Sequence, residues 1–397
     1  MERKKTGVFS CQELKKAISD GLILATPPIE EAQIQPASID LRLGPKAYRL
    51  VSSFLPGKDQ KVMDRLGPRS RHRANLLMYE HNTADGMVLE KGSVYLIPLM
   101  EKLALPKNVH GKANPKSTTG RLDIFTRVIT DCNPRFDEIP QGYEGGLFLE
   151  VMPRSFTVKV WQGISLVQLR LRTGDSSVTD RQLKKLHNEY SILCDGKGED
   201  ILPLFDNPYN ESRGRIPDDR VRVSNGIFMS ADLIGDKSGA IIGYKAKKNS
   251  HVIDLTKKNY YNTEDFWEPI YSNTNRDMLI LEPEEFYILA TKEKIRIPPG
   301  YAADMAPYEA GSGELRTHYA GFFDPGFGYG KGGEVMGTKA VLEVRAHDVP
   351  FMIAHGQTFC KLFFEKMREV PDKVYGPTIG SSYQYQTITL SKQFKKG

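Results

Sequence analysis

Cysteine is scarce in this sequence, with four in 397 residues, Cys11, Cys132, Cys194 and Cys360, and no C-x-x-C pair among them. That excludes a disulfide scaffold and a structural zinc site built on paired thiolates. Histidine is thin too, eight residues with no i, i+4 pair, so a helical histidine metal site has no support. No run of 18 or more apolar residues exists, which excludes a membrane-spanning helix. The opening MERKKTGVFS is basic and leads into a polar helix pattern, not into the apolar core of an export signal. A cytoplasmic protein without a membrane partner is therefore expected. A strong charge of one sign is also missing. The formal +6 suits an anionic ligand but does not separate a nucleotide from a nucleic acid. The dense basic stretch DRLGPRSRHRAN, at 64–75, has no interleaved aromatics, so it reads as a solvated loop, and no nucleic-acid partner is expected.

What is present suffices for two cores. Hydrophobic residues make up 40% and charged residues 26%, near globular averages, and the length suggests two domains. The two halves also repeat. LEKGSVYLIPLMEKLALPKNVHGKANP (89–115) lies over LEPEEFYILATKEKIRIPPGYAADMAP (281–307) without a gap, at a shift of 192 (281 − 89). Tyr95/Tyr287, Glu101/Glu293, Pro106/Pro298 and Pro115/Pro307 are among the identical pairs. LFLEV (147–151) meets AVLEV (340–344) at a shift of 193 (340 − 147). One unit of about half the chain is duplicated on this reading.

Each unit reads as short strands. SIDLRL (38–43) alternates Ile39, Leu41 and Leu43 with Ser38, Asp40 and Arg42, the pattern of a half-buried strand. SVYLIPL, FTVKV, ISLVQLRL, EFYILAT, AVLEVRA and TFCKLFFE are further β-rich runs punctuated by Gly and Pro, favouring a barrel or sandwich. SCQELKKAISDG predicts a helix opened by a Ser10/Glu13 capping box and stopped at Gly21, and VTDRQLKKLHNEYSIL (178–193) predicts a second. The expected domains are 1–193 and 221–397, with the polar, Gly- and Pro-bearing 194–220 as linker.

QIQPASIDLRLG (33–44), KSTTGRL (116–122) and IPQGYEGGLFLEV (139–151) stand in the order and approximate spacing found in dCTP deaminases. AGFFDPGFG (320–328) and GQTFCKLFFEKM (356–367) repeat parts of that pattern in the second half. The sequence therefore resembles a two-repeat dCTP deaminase of the dUTPase-like superfamily. The resemblance implies a mainly β fold, two tandem dUTPase-like (β-clip) distorted barrels or jelly rolls with few short helices. It implies hydrolysis of dCTP to dUTP and ammonia, feeding dUMP and dTTP synthesis, in a homo-oligomer.

Site residues follow by position. The family's matching turn reads Arg-Ser-Ser-x-x-Arg, so Lys116 and Thr118 would face phosphate oxygens, Ser117 would orient water, and Arg121 would steady the catalytic carboxylate. Small hydroxyl residues in a tight turn with flanking cations make a plausible anion concavity, although a solvated turn is the commoner setting. Lys116 replaces a bidentate fork by a point charge. Glu150 ends an apolar run, where burial raises a carboxyl pKa toward a useful value, and recurs as Glu343. The resemblance gives this glutamate the role of general base. Sites in this superfamily lie between barrels, which implies a composite of Lys116, Ser117, Thr118 and Arg121 with Ala320, Asp324 and Glu343. The rival has Glu150 at work and Glu343 a relic. The tail (375–397) resembles the family's lid, with Tyr383 and Gln386 closing over the triphosphate.

The zinc-deaminase pattern, H-x-E followed by P-C-x-x-C, does not occur, so chemistry without zinc is expected. Magnesium on the substrate triphosphate is implied by the family. Two other functions stay open. A dUTPase, or a bifunctional enzyme yielding dUMP, is one, since Asp324 sits near the dUTPase base. A non-catalytic nucleotide sensor is the other.

Overall fold

The computed structural model describes residues 5–67, 75–195, 199–201, 204–205, 221–273, 277–307, 315–317, 321–346, 348–376, 383–384 and 386–395. Most of the expected linker, the basic residues 68–74 and Ala320 lie outside that set.

The chain is mainly β. The capping box on Ser10 forms as the sequence predicts, and the helix Cys11–Ser19 buries Cys11, Leu14 and Ala17 on one face. Gly21 follows with φ 74°, a conformation costly for any residue with a Cβ. The second expected helix runs over Asp180–Tyr190, capped at Thr179.

Two compact units divide the chain, one made of 1–175, 247–266 and 391–397, the other of 176–246 and 267–390. The division at 175 therefore lies upstream of the boundary read from the sequence at 193. Its cause is packing: Leu183 and Leu186 of the Asp180–Tyr190 helix enter the core of the second unit, and Leu193 pairs with Ile295. Two segments of the second half belong to the first unit. Ile253 pairs in parallel with Val158, and Tyr261, Phe266 and Phe394 stack edge-on near Phe156.

In the first unit a six-stranded sheet runs Leu77–Asn82, Lys46–Leu50, Tyr95–Ala104, Glu144–Pro153, Ile124–Thr130, with Ile23–Ala25 also on Tyr95–Ala104. In the second, Trp267–Tyr271, Ile241–Ala246, Phe286–Ile295, Thr338–Ala346 and Leu315–Thr317 follow one another, with Leu193–Cys194 also on Phe286–Ile295. Register matches as well. Glu150 faces Leu96, and Glu343 faces Ile288, 192 residues further on (288 − 96).

The strand Ile39–Arg42 departs from the alternating pattern. All four of its residues are buried, as is Ser38. Burial of the polar set is sustained by partners. Arg42 meets Glu101, Lys116 bonds to Asp40, and the Ser38 hydroxyl donates to Gln168 Oε1 at 3.3 Å.

Candidate functional site

The turn 116–121 follows the strand Val109–Pro115 and coils once, over Ser117–Gly120, before the strand Ile124–Thr130. Its three hydroxyls have different fates. Thr119 is buried and donates to Leu166 O at 2.8 Å, which pins the turn to the neighbouring strand. The half-buried hydroxyls of Ser117 and Thr118 make no hydrogen bond among the described residues. Lys116 reaches Asp40, and its backbone N–H donates to Leu166 O at 2.9 Å. Arg121 is buried, with its backbone N–H on Ser117 O at 3.0 Å. The turn therefore offers two open hydroxyls beside a lysine, the donor set an anionic oxygen requires.

Glu150 lies on Glu144–Pro153 with 1% of its surface exposed. Its Oε1 accepts from Arg127 Nε at 3.0 Å and Nη2 at 2.7 Å. Its Oε2 is buried with no hydrogen-bond partner among the described residues. The arginine that steadies this carboxylate is thus Arg127, which faces Glu150 across the sheet, and not Arg121. Arg127 is itself held, 3.7 Å from the Phe136 ring centroid and 4.7 Å from that of Phe125.

Beside this pair sits Asp137, whose Oδ1 accepts from Val128 N at 2.8 Å. Burial pushes its carboxyl up to about 7, the Val128 N–H and the charges of Arg127 and Lys112 pull against that, and Glu150 adds to it. A carboxyl raised in the folded state contributes stability at low pH that is lost as pH rises through about 7. Asp137→Asn should therefore gain stability over the wild type progressively from about pH 4 to pH 7 in denaturant titrations. A constant difference across that range would contradict the burial.

The remaining expected residues fall in the second unit. Glu343 is buried on Thr338–Ala346. Asp324 is buried in the Phe322–Gly328 hairpin, where Phe327 N donates to its carbonyl at 3.1 Å. A Cβ at Gly328 would stand 2.0 Å from Ile295 O, so this hairpin glycine is obligatory. Gln386 donates to Lys339 O at 2.9 Å, and the N–H of Tyr383 donates to the Tyr375 hydroxyl at 3.2 Å. Ala320 lies outside the described residues. Among the described residues no three His, Cys, Asp or Glu side chains stand together as metal ligands.

Sequence reasoning missed Arg127, Asp40 and Asp137. The available signal was a charged residue inside an apolar run, Arg127 in IFTRVIT and Asp40 in SIDLRL. Only the folded contacts, Arg127 with Glu150 and Asp40 with Lys116, say what these two serve.

Known proteins resemble this chain. Residues 5–175 match the model of the 2'-deoxycytidine 5'-triphosphate deaminase N-terminal domain, and 180–394 match that of its C-terminal domain. A crystal structure of 2'-deoxycytidine 5'-triphosphate deaminase from Agrobacterium tumefaciens is similar, with TM-score 0.80 and 42% identity, over 93% of this chain and 97% of the other. The dUMP-forming dCTP deaminase of Sulfurihydrogenibium sp. is 27% identical over 46% of this chain and 91% of its own. The dCTP deaminase of Acidianus ambivalens is 26% identical over 50% of this chain and 98% of its own. With both domain models matched in order along nearly the whole sequence, the chain belongs to the 2'-deoxycytidine 5'-triphosphate deaminase family.

Proposed function

We propose that the protein hydrolyses the amidine C–N bond of dCTP, with dCTP and water giving dUTP and ammonia. The buried, unpartnered Oε2 of Glu150 carries the assignment. A carboxylate oxygen left without a donor is costly, and a water held there would repay the cost and be aligned for deprotonation. Arg127 keeps the other oxygen occupied, so the base presents one face. Glu150 takes a proton from water as its oxygen attacks C4 of cytosine. Glu150 passes that proton to ring N3, and the C4 hydroxyl proton then moves to the amine, which leaves as ammonia while C4 becomes a carbonyl and the carboxylate is regenerated.

The turn supplies the other half of the reading. Ser117 orients the water, while Thr118 and Lys116 take phosphate oxygens. Magnesium arrives on the triphosphate as part of the substrate, and no step is routed through zinc. Two tandem dUTPase-like barrels account for the parallel sheet orders, and for relatives that each align with about half of this chain. A cytoplasmic homo-oligomer completes the reading.

The test is ammonia release from dCTP with and without a zinc chelator. We expect release in both, and tight dCTP binding without ammonia would favour a sensor. A second reading rests on relatives named as dUMP-forming. There a second water would cleave dUTP to dUMP and pyrophosphate. Chromatography of the nucleotide product separates dUTP from dUMP.

A further inference from the structure

We infer that Lys392, carried on the segment Ser391–Phe394, is a phosphate ligand of this site, acting with Lys116 and Lys258 on the terminal phosphates of the bound triphosphate. The identity of the anion rests on the deaminase reading; the anion seat rests on the contacts that hold this segment against the turn and on the charges around Lys392.

The segment is fastened to the phosphate turn. Ser391 Oγ lies 2.9 Å from Thr118 O and 2.6 Å from Gln393 Oε1, with its single O–H shared between the two acceptors. Gln393 Nε2 donates to Leu255 O at 3.1 Å, and Asn259 N donates to the Lys392 carbonyl at 2.8 Å. Lys392 is thus held on both sides by fixed neighbours, within one residue of the bond to Thr118. Its ammonium nevertheless makes no hydrogen bond or ion pair among the described residues, and neither does that of Lys258.

Charge around the ammonium does not balance. Lys116 and Lys258 oppose it, and Asp40, the carboxylate that acts in its favour, already serves Lys116. Burial, then the two lysines, push the Lys392 ammonium down to about 8, with Asp40 acting in the opposite sense. Three cations against one acid in a partly desolvated place is an unfavourable arrangement for the empty protein. A multivalent anion relieves it. The two open hydroxyls of Ser117 and Thr118 stand on the same turn and supply neutral donors for the same oxygens.

The experiment titrates full-length wild type, Lys392→Gln and Lys392→Arg with inorganic tripolyphosphate by calorimetry, near pH 8, in two buffers of different ionisation enthalpy. Wild type should take up a proton on binding, because an anion raises the pKa of an ammonium that starts near 8. Lys392→Gln should bind about tenfold or more weakly and lose that uptake, and Lys392→Arg should recover the affinity. The KM of Lys392→Gln for dCTP should rise by about the same factor with kcat nearly constant. Lys392→Gln should also melt no lower than wild type, since it removes an uncompensated charge, whereas a structural lysine would cost stability.

Tripolyphosphate binding with unchanged affinity and proton uptake in Lys392→Gln would overturn the inference, as would no binding by wild type. Ammonia release with an unchanged KM in Lys392→Gln would leave the deaminase standing without it. Lys392-dependent binding with no ammonia from wild type would do the reverse.

Discussion

Glu150→Gln is expected to remove ammonia release from dCTP almost completely, lowering kcat by about a hundredfold to ten-thousandfold, the range for losing a positioned general base. The substitution is nearly isosteric. An amide oxygen can still accept from Arg127, as Oε1 does now at 2.7 Å and 3.0 Å, so the strand pairing and the Arg127–Phe136 stack should persist. What vanishes is a basic oxygen at the position where Oε2 is buried without a donor. Tripolyphosphate affinity should be unchanged, because none of the hydrogen bonds of Glu150 goes to the phosphate turn. Loss of kcat with preserved phosphate binding is therefore the signature. Glu343→Gln is the control, and should keep most of the activity. The opposite result, activity lost in Glu343→Gln and retained in Glu150→Gln, would move the chemistry to the Thr338–Ala346 strand and defeat the assignment.

The sequence carried the secondary structure better than the partnerships. The Ser10/Glu13 box specified the first helix because both halves of a cap lie within four residues, a local constraint. Apolar spacing was legible in both halves, and Glu150 faces Leu96 in one unit as Glu343 faces Ile288 in the other. SIDLRL misled for a physical reason. Alternation assigns polar residues to solvent only when they lack partners, and Asp40 and Arg42 find theirs in Lys116 and Glu101, 76 and 59 residues away. The division of the units hid for a similar reason. Residues 247–266 read as an ordinary part of the second half, and the pairing of Ile253 with Val158 and the packing of Phe266 on Phe156 show where they belong. Within the candidate site, the turn and Glu150 were named from the family pattern, whereas Arg127 was not, since its partner Glu150 lies 23 residues away on the next strand.

Arg42→Met is expected to cost about 3–5 kcal/mol of stability, the penalty for leaving one partner of a buried ion pair uncompensated. Glu101 has no exposed surface. Its two oxygens are filled by Arg42 Nε and backbone N–H, each at 2.8 Å, and by Gln33 Nε2 at 3.0 Å. The arginine also donates to Pro27 O at 2.8 Å and Pro28 O at 3.1 Å, so its removal orphans several acceptors at once. Urea titration followed by Trp161, in the same unit, should register the loss, and the double variant Arg42→Met/Glu101→Gln should recover part of it by removing the stranded charge. The second unit solves the same problem differently. Glu293 accepts from Ser230 N at 2.9 Å and Ser230 Oγ at 2.5 Å, and burial raises its carboxyl pKa. A raised carboxyl contributes stability at low pH that is lost as pH rises through its folded value. Glu293→Gln should therefore stabilise the second unit more at pH 9 than at pH 5, while Arg42→Met destabilises the first at both. Equal effects of Glu293→Gln at the two pH values would mean that this acid is already ionised and compensated at pH 5, and the contrast between the two units would fail.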